Sequence, residues 1–462
     1  MSRFDLAVLG GGPGGYVAAI RGAQLGKKVC IIDKEKLGGV CLNWGCIPTK
    51  ALIKNAEVYS LIKQADKYGV KVREVKVDFK SNVKRSRDVS DRLSKGIEFL
   101  MKKNKIKHFN GTGRLVSKNN IELKKENKTE YIETDKVIIA TGARPRTFPG
   151  IEYDGERVIS SKEAMILEVP PKDLTIIGSG AIGVEFAYYF NEFGTKVHIL
   201  EMMDRILPNE DQDVSKEVEK HFEISGIKVS KGVKVSKIEG MKTKAKVYVK
   251  KNKSEEIIEA DKVLLAAGVI GNIENIGLKS IGIETESGSI KTDQFNKTNI
   301  DNIYAIGDVT GPPWLAHVAS AQGHVAVEHA FGFGATPIDY LNIPGCTYCQ
   351  PQVGSLGMTE EQAIESGYNI QVGKFLFQAS GKAMAVGDTR GFVKLIFDKR
   401  YGELIGAHIV GSEATEMIAE LGMAKALETT WDDIAMTMHA HPTLSEAIME
   451  AALDAQGCSI HQ

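Results

Sequence analysis

The stretch DLAVLGGGPGGYVAAI, residues 5–20, decides how this chain folds. A short run of strand-forming residues, Leu6 to Leu9, meets a glycine cluster and then a pattern of small and apolar residues at helical spacing. Eight residues later KVCIID, residues 28–33, reads as a second strand that ends in an acid. The same arrangement recurs in LTIIGSGAIGVEFA, residues 174–187, followed by KVHILE, residues 196–201. In both copies the acid, Asp33 or Glu201, lies 23 residues after the first glycine. One such glycine pattern is weak; two copies with strand, helix and acid in place are a strong sign of two dinucleotide-binding units.

The physics of the two turns is shared. Gly10 and Gly178 permit the tight turn, Gly12 and Gly180 let a backbone approach a pyrophosphate, and Gly15 and Gly183 let helix pack on strand. A pyrophosphate then rests on the positive end of the helix. Asp33 and Glu201 accept hydrogen bonds from ribose hydroxyls, and an acid at Glu201 disfavours a 2′-phosphate, so NAD is expected over NADP. Arg205, close by, pulls the other way.

Composition bounds the rest. The 462 residues suggest about three domains. Apolar residues at 43% and charged residues at 26% are ordinary for a globular protein. Lys plus Arg equals Asp plus Glu at 59 each, which argues against nucleic acid or a membrane surface bound through bulk charge. No apolar run reaches the roughly 18 residues of a spanning helix. The chain enters a strand at once, so neither a signal peptide nor a preceding carrier domain is expected, and the chain reads as cytoplasmic. Six cysteines in this length are not a secreted disulfide framework. In a reducing compartment a close pair is catalytic, redox-sensing or metal-binding.

That pair is Cys41 and Cys46, in GGVCLNWGCIPTK, residues 38–50. Five residues of helix advance roughly 7.5 Å, whereas a disulfide wants Cα atoms about 4.4–6.8 Å apart. Gly45 and Pro48 mark where the backbone departs from regular helix. A helix beginning there presents its positive end to the sulfurs and favours thiolate. Thiol–disulfide exchange, a staple and a buried free pair all remain open on spacing alone. Cys346 and Cys349 supply only two clustered ligands, so no metal is expected and packing is the better reading. His441, before Pro442, shuttles protons near neutrality if Glu446 holds one ring nitrogen, though the pair alone is a weak signal and reads more readily as ordinary surface.

Along the chain, helices are expected from Thr49 to about Lys67 and from Phe79 to Lys103, and the charged segment Lys118 to Glu133 reads as a solvated hairpin. Strands end at Ala140-Thr141-Gly142, before Gly268 and at Asp308, and Arg144 to Gly150 reads as a linker. From about Tyr340 the texture changes to α+β, with strands at Phe392 and Leu404 and a helix from Ala414 to Leu427.

The motif at residues 38–50 resembles the active-site sequence of the flavoprotein disulfide reductases, and the resemblance extends over essentially the whole chain, through Ala140-Thr-Gly, Ile306-Gly-Asp and HAHPTLSE at 439–446. It implies an α/β fold: an FAD-binding domain at 1–145, an NAD-binding domain at 146–270, a central segment at 271–340 returning to the FAD side, and an α+β dimerisation domain at 341–462. It implies that Cys41 exchanges with a dihydrolipoyl group, that Cys46 lies against the flavin, and that Lys50 and Glu185 pair at the flavin edge. Gly10, Gly12, Gly15, Asp33, Lys50, Ala140, Thr141, Gly142, Asp308, Ala316 and His317 are implied to hold FAD. Gly178, Gly180, Gly183, Glu201 and Gly268 are implied to hold NAD. His441, oriented by Glu446, is implied to act as base on the partner subunit's site, so a homodimer is expected. The implied partner is a lipoyl-bearing protein of a 2-oxo acid dehydrogenase complex or glycine cleavage system. Glutathione reductase, mercuric reductase and a non-enzymatic flavin-binding subunit are the alternatives. Gly268-Val-Ile-Gly-Asn departs from the Arg-x-Pro-Asn pattern common in the family after this strand.

Overall fold

A computed structural model describes residues 2–126, 128–251 and 254–461. Strand Ser2–Leu9 pairs in parallel with Val29–Asp33 on one side and with Lys128–Ile139 on the other. Helices cover one face, over Leu6 and Val8, and the antiparallel strands with Leu278 and Ile283 cover the other, over Ala7 and Leu9, so all four residues are buried. The sheet runs Lys107–Asn110, Val29–Asp33, Ser2–Leu9, Lys128–Ile139, and continues antiparallel through Asn120–Lys125 and Thr112–Ser117. Late in the chain Ile303–Ala305 returns to pair with Lys128–Ile139, and helix Ala316–Phe331 packs on helix Pro13–Gln24. Small residues permit that crossing: a Cβ on Gly14 would meet the Ala319 carbonyl at 2.9 Å, and one on Gly323 the Gly14 carbonyl at 2.9 Å.

A second parallel sheet repeats the plan in the order Lys228–Ser230, Lys196–Leu200, Asp173–Ile177, Lys262–Leu265, Val158–Ile159. An antiparallel meander, Lys234–Gly240, Ala245–Lys251 and Ser254–Ala260, stands beside it. The C-terminal unit is a five-stranded antiparallel sheet, ordered Gly345–Thr347, Gln352–Gly357, Leu404–Gly411, Phe392–Asp398, Ile370–Leu376. Helices Ala414–Ala426 and Glu446–Ala455 pack on it, so its two central strands are buried throughout.

One apolar core joins the units. Leu52, Ile53 and Ala56 from helix Cys46–Lys63 meet Phe186, Tyr189 and Phe190 from helix Ala181–Glu192, with Cys349, Val353 and Val410 from the C-terminal sheet. This packing fixes the cysteine-bearing helix Cys46–Lys63 against the second glycine turn.

Three expectations shift in detail. The helix expected from Thr49 starts at Cys46, because Pro48 sits in its first turn, where a missing N–H breaks no helical bond. It ends at Lys63, before a 3₁₀ turn at Ala65–Tyr68. The hairpin read as solvated is solvated on one face only: Ile121, Leu123 and Ile132 are buried under Leu278 and Ile283. Charged residues between them point outward, and the alternation was hidden by their number.

Candidate active site

The two glycine turns are built alike. Gly10 and Gly178 have φ of +108° and +98°, in the region glycine favours. A Cβ on Gly10 would stand 2.1 Å from the Ala140 carbonyl oxygen, and one on Gly178 would stand 2.5 Å from that of Ala266. A Cβ on Gly15 or Gly183 would likewise stand 1.9 or 2.1 Å from the carbonyl oxygen of Gly10 or Gly178. Beyond Gly180 there is open space. The acids close each turn: Gly11 N–H donates to Asp33 Oδ2 at 2.6 Å, and Ser179 N–H donates to Glu201 Oε2 at 2.9 Å. Burial pushes the Asp33 carboxyl above the ordinary range. Helices Pro13–Gln24 and Ala181–Glu192 start at Gly12 and Gly180 with no side-chain cap and no acid in the first turn. Each therefore keeps first-turn N–H donors for an anion.

Between these turns lies the thiol pair. Helix Gly39–Trp44 carries Cys41, Gly45 breaks it at φ −146° and ψ −115°, and Cys46 opens the next helix. The break sets the two thiols beside each other, close enough that each shifts the other's acidity; both are free. Thr49 Oγ1 donates to the Gly45 carbonyl at 2.7 Å and fixes the break. Asn43 is buried beneath it, donating to Leu37 O and Gly39 O and accepting from Ser94 Oγ. The Cys46 thiol is lowered to about 7, chiefly because its thiolate accepts from the Cys41 thiol and also because Lys50 lies one turn on. That same bond, with burial, pushes Cys41 up. Cys46 is open to solvent yet flanked by protein, as a group in a recess is; Cys41 packs with Leu42 and Ile47.

Lys50 and Glu185 come together. Lys50 Nζ donates to both carboxylate oxygens at 2.9 and 3.0 Å, and Glu185 is almost fully buried. Tyr348, which the sequence did not single out, touches both: its N–H donates to Glu185 Oε1 at 3.1 Å, and Lys50 Nζ stands 4.4 Å from its ring centre.

His441 Nδ1 meets Glu446 Oε1 at 2.9 Å, and Thr443 N–H binds the other oxygen at 2.8 Å. That backbone bond, more than the imidazole, lowers the Glu446 carboxyl. The His441 side chain is 79% exposed. The chain does not bring this pair to its own cysteines; it sits on the C-terminal unit, next to exposed Met436 and Met438. His439 is instead tucked in, bonded to Thr437 O and Glu420 Oε1.

The remaining expected residues fall as follows. Thr141 exchanges two hydrogen bonds with Asn272, and Gly142 accepts from Asn272 N–H, so this strand end is clamped to the segment after Gly268. Asp308 lies in a 3₁₀ turn near Cys41, its carboxyl raised by burial. Ala316 and His317 open a helix without a side-chain cap. Cys349 is buried and Cys346 half-buried. Among the described residues no group of three or more His, Cys, Asp and Glu side chains is placed to hold a metal, and no helix is long and apolar enough to cross a membrane.

A duplicated nucleotide-binding architecture with a thiol pair at its junction is that of the pyridine nucleotide-disulphide oxidoreductases. The chain belongs to that family: residues 4–323 match it, and residues 343–452 match its dimerisation domain. Full-length relatives include dihydrolipoyl dehydrogenases. That of Rhizobium etli is 46% identical over 98% of both chains. That of Chlorobaculum parvum is 45% identical over 98% of this chain and 97% of its own. That of Bacillus subtilis is 43% identical over 100% of this chain and 99% of its own. Among solved structures, LpdA from Mycobacterium tuberculosis superposes with a TM-score of 0.91 at 27% identity, covering 98% of this chain and 99% of that one. The HOCl-induced flavoprotein disulfide reductase RclA from Escherichia coli, as its Cu(II) complex, gives 0.88 at 27% over 98% and 99%.

Proposed function

We propose that this chain has dihydrolipoyl dehydrogenase activity: it oxidises a dihydrolipoyl group carried by another protein and reduces NAD, using FAD, Cys41 and Cys46. The observation that carries the reading is the dithiol itself, held across a helix break with one sulfur acidified beside Lys50 and set between two glycine turns.

The turns fit their nucleotides. Gly10, Gly15, Gly178 and Gly183 leave no room for a Cβ, the helices at Gly12 and Gly180 keep uncapped first-turn N–H donors, and an acid closes each turn, which supports a nucleotide at each. Gly10, Gly12, Gly15, Asp33, Lys50, Ala140, Thr141, Gly142, Asp308, Ala316 and His317 are proposed to hold FAD, and Gly178, Gly180, Gly183, Glu201 and Gly268 to hold NAD. The proposed domains are 1–145 for FAD, 146–270 for NAD, 271–340 returning to the FAD side, and 341–462 for the interface. Bound FAD would supply the two-electron relay that returns the dithiol to disulfide with NAD as acceptor.

The chain's residues do the thiol chemistry. His441 of the partner subunit, with its Nδ1 held by a carboxylate, takes a proton from the substrate dithiol. The substrate thiolate attacks Cys41 Sγ, the Cys41–Cys46 bond breaks, and Cys46 leaves as a thiolate stabilised by Lys50. The second substrate sulfur then displaces Cys41, so the substrate becomes a disulfide and the pair a dithiol. Exposed Met436 and Met438 beside the His441 segment support a homodimer that covers this face. The substrate-bearing partner is a lipoyl protein of a 2-oxo acid dehydrogenase complex or glycine cleavage system, in the cytoplasm.

An assay of the purified holoenzyme with dihydrolipoamide, glutathione disulfide and mercuric ion, each with NAD(H) and NADP(H), tests this. Fast NAD reduction by dihydrolipoamide alone is expected. Turnover of either other substrate in preference, or none with any, would overturn it.

A further inference from the structure

The segment Cys346-Thr-Tyr-Cys349 enters the dithiol site from the C-terminal sheet of the same chain. Tyr348 sits on a rigid support. Strand Gly345–Thr347 precedes it, Cys349 after it is buried in the core that joins the units, and Gln350 Nε2 donates to Glu57 Oε1 on the redox helix at 3.1 Å. From this support Tyr348 makes two contacts that no other of the described residues combines. Its N–H binds Glu185 Oε1 at 3.1 Å, and its ring face lies 4.4 Å from Lys50 Nζ. A carboxylate on one side and a π face on another leave the ammonium little freedom to swing. Lys50 stands one helical turn after Cys46.

We propose that Tyr348 is a positioning residue of the dithiol site: its main-chain amide and ring face hold the Lys50–Glu185 pair in register with Cys46, so the interface sheet tunes the redox thiol of its own chain. This deepens the activity proposed above and rests on the same dithiol, but it concerns the acidity of one sulfur and is read without turnover. The groups facing Cys46 are Cys41 from the preceding helix, Lys50 on its own helix, Glu185 from the second unit and the Tyr348 phenol from the C-terminal sheet. Of these, Lys50 is the cation whose position the ring controls.

The test is the pH dependence of iodoacetamide alkylation at Cys46, followed by peptide mass in the reduced holoenzyme. Tyr348→Phe keeps the ring face and leaves the midpoint where it was. Tyr348→Leu removes the face and moves the midpoint up by about half a unit to one unit. Pentafluorophenylalanine at position 348 keeps the shape and reverses the electrostatics of the face, so it moves the midpoint in the same direction even if the Leu variant folds poorly. In a Lys50→Met background the change at 348 is silent, because its effect passes through the ammonium. An unmoved midpoint with pentafluorophenylalanine, a Phe variant that shifts as far, or a full shift without Lys50 would each overturn the proposal. Loss of dihydrolipoamide oxidation with these midpoints intact would instead count against the proposed substrate.

Discussion

Lys50 Nζ lies 2.9 Å from Glu185 Oε1, although 135 residues separate them. Lys50 is one turn past Cys46 and Glu185 is two residues past Gly183, so the pair ties the redox helix to the second nucleotide turn. Their charges act on Cys46 in opposite senses: Lys50 favours its thiolate and Glu185 opposes it. Lys50→Met is therefore expected to raise the pH midpoint for Cys46 alkylation and Glu185→Gln to lower it, each by about one unit or less. Both variants should turn over more slowly, since each leaves the other partner unmatched. Shifts in the same direction would show that the pair acts by packing alone.

The acidified thiol gives a pH window. Cys46 is lowered from 9.0 to about 7 in the folded dithiol form. Its folded value is depressed, so the stabilisation is fully present above the unfolded value and is lost as pH falls through about 7. The reduced enzyme should gain thermal stability between these limits relative to Cys46→Ser, and the thiolate should disappear below about 7. Cys41 is raised, so above 9.0 it opposes the gain, and the pH profile of Tm should flatten or turn over there. A Tm difference that does not change across the window would refute the thiolate assignment.

The glycine turns separate the two nucleotide sites. A methyl group at Gly10 would overlap the Ala140 carbonyl, and one at Gly178 the Ala266 carbonyl, in each case at a φ that alanine resists. Gly10→Ala should reduce flavin content after purification and destabilise the fold by about 1–3 kcal/mol. Gly178→Ala should leave the protein yellow but weaken NADH binding by tenfold or more, about 1.4 kcal/mol. Flavin absorbance and an NADH titration read the two outcomes; loss of flavin in the second variant would mean that the turns are not independent.

Such turns were legible in sequence because a steric need at one position leaves a glycine that nothing else replaces. Asp33 and Glu201 were legible for a related reason: each follows its first glycine by the length of one strand–helix–strand unit. Lys50, Glu185, His441 and Glu446 carried little signal of their own and came forward through family resemblance. Tyr348 was not legible, since its importance lies in contacts made across 163 residues with Glu185. Lys394 was hidden in the same way: its strand reads as apolar, yet it is buried with Glu360 of its own unit at 2.7 Å and with Asp211 at 2.9 Å, a partner that only the second unit supplies. Local rules expose backbone demands, and charges paired between distant units leave no pattern in either segment.

The exposed His441–Glu446 pair allows a test of the shared site. If the base acts on the partner subunit's dithiol, a chain with Cys41→Ser and a chain with His441→Gln are each inactive as homodimers, yet complement one another. In a hybrid dimer the first chain lends its intact histidine to the intact cysteines of the second, while the other site lacks both. Random reassociation of equal amounts should restore about a quarter of wild-type activity, because half the dimers are hybrids with one working site of two. The recovered activity should need unfolding or dissociation before mixing, and a hybrid isolated through two different affinity tags should show about half the activity per dimer. No recovery in an isolated hybrid would place the base in its own chain, contrary to the exposed position of His441 on the C-terminal unit.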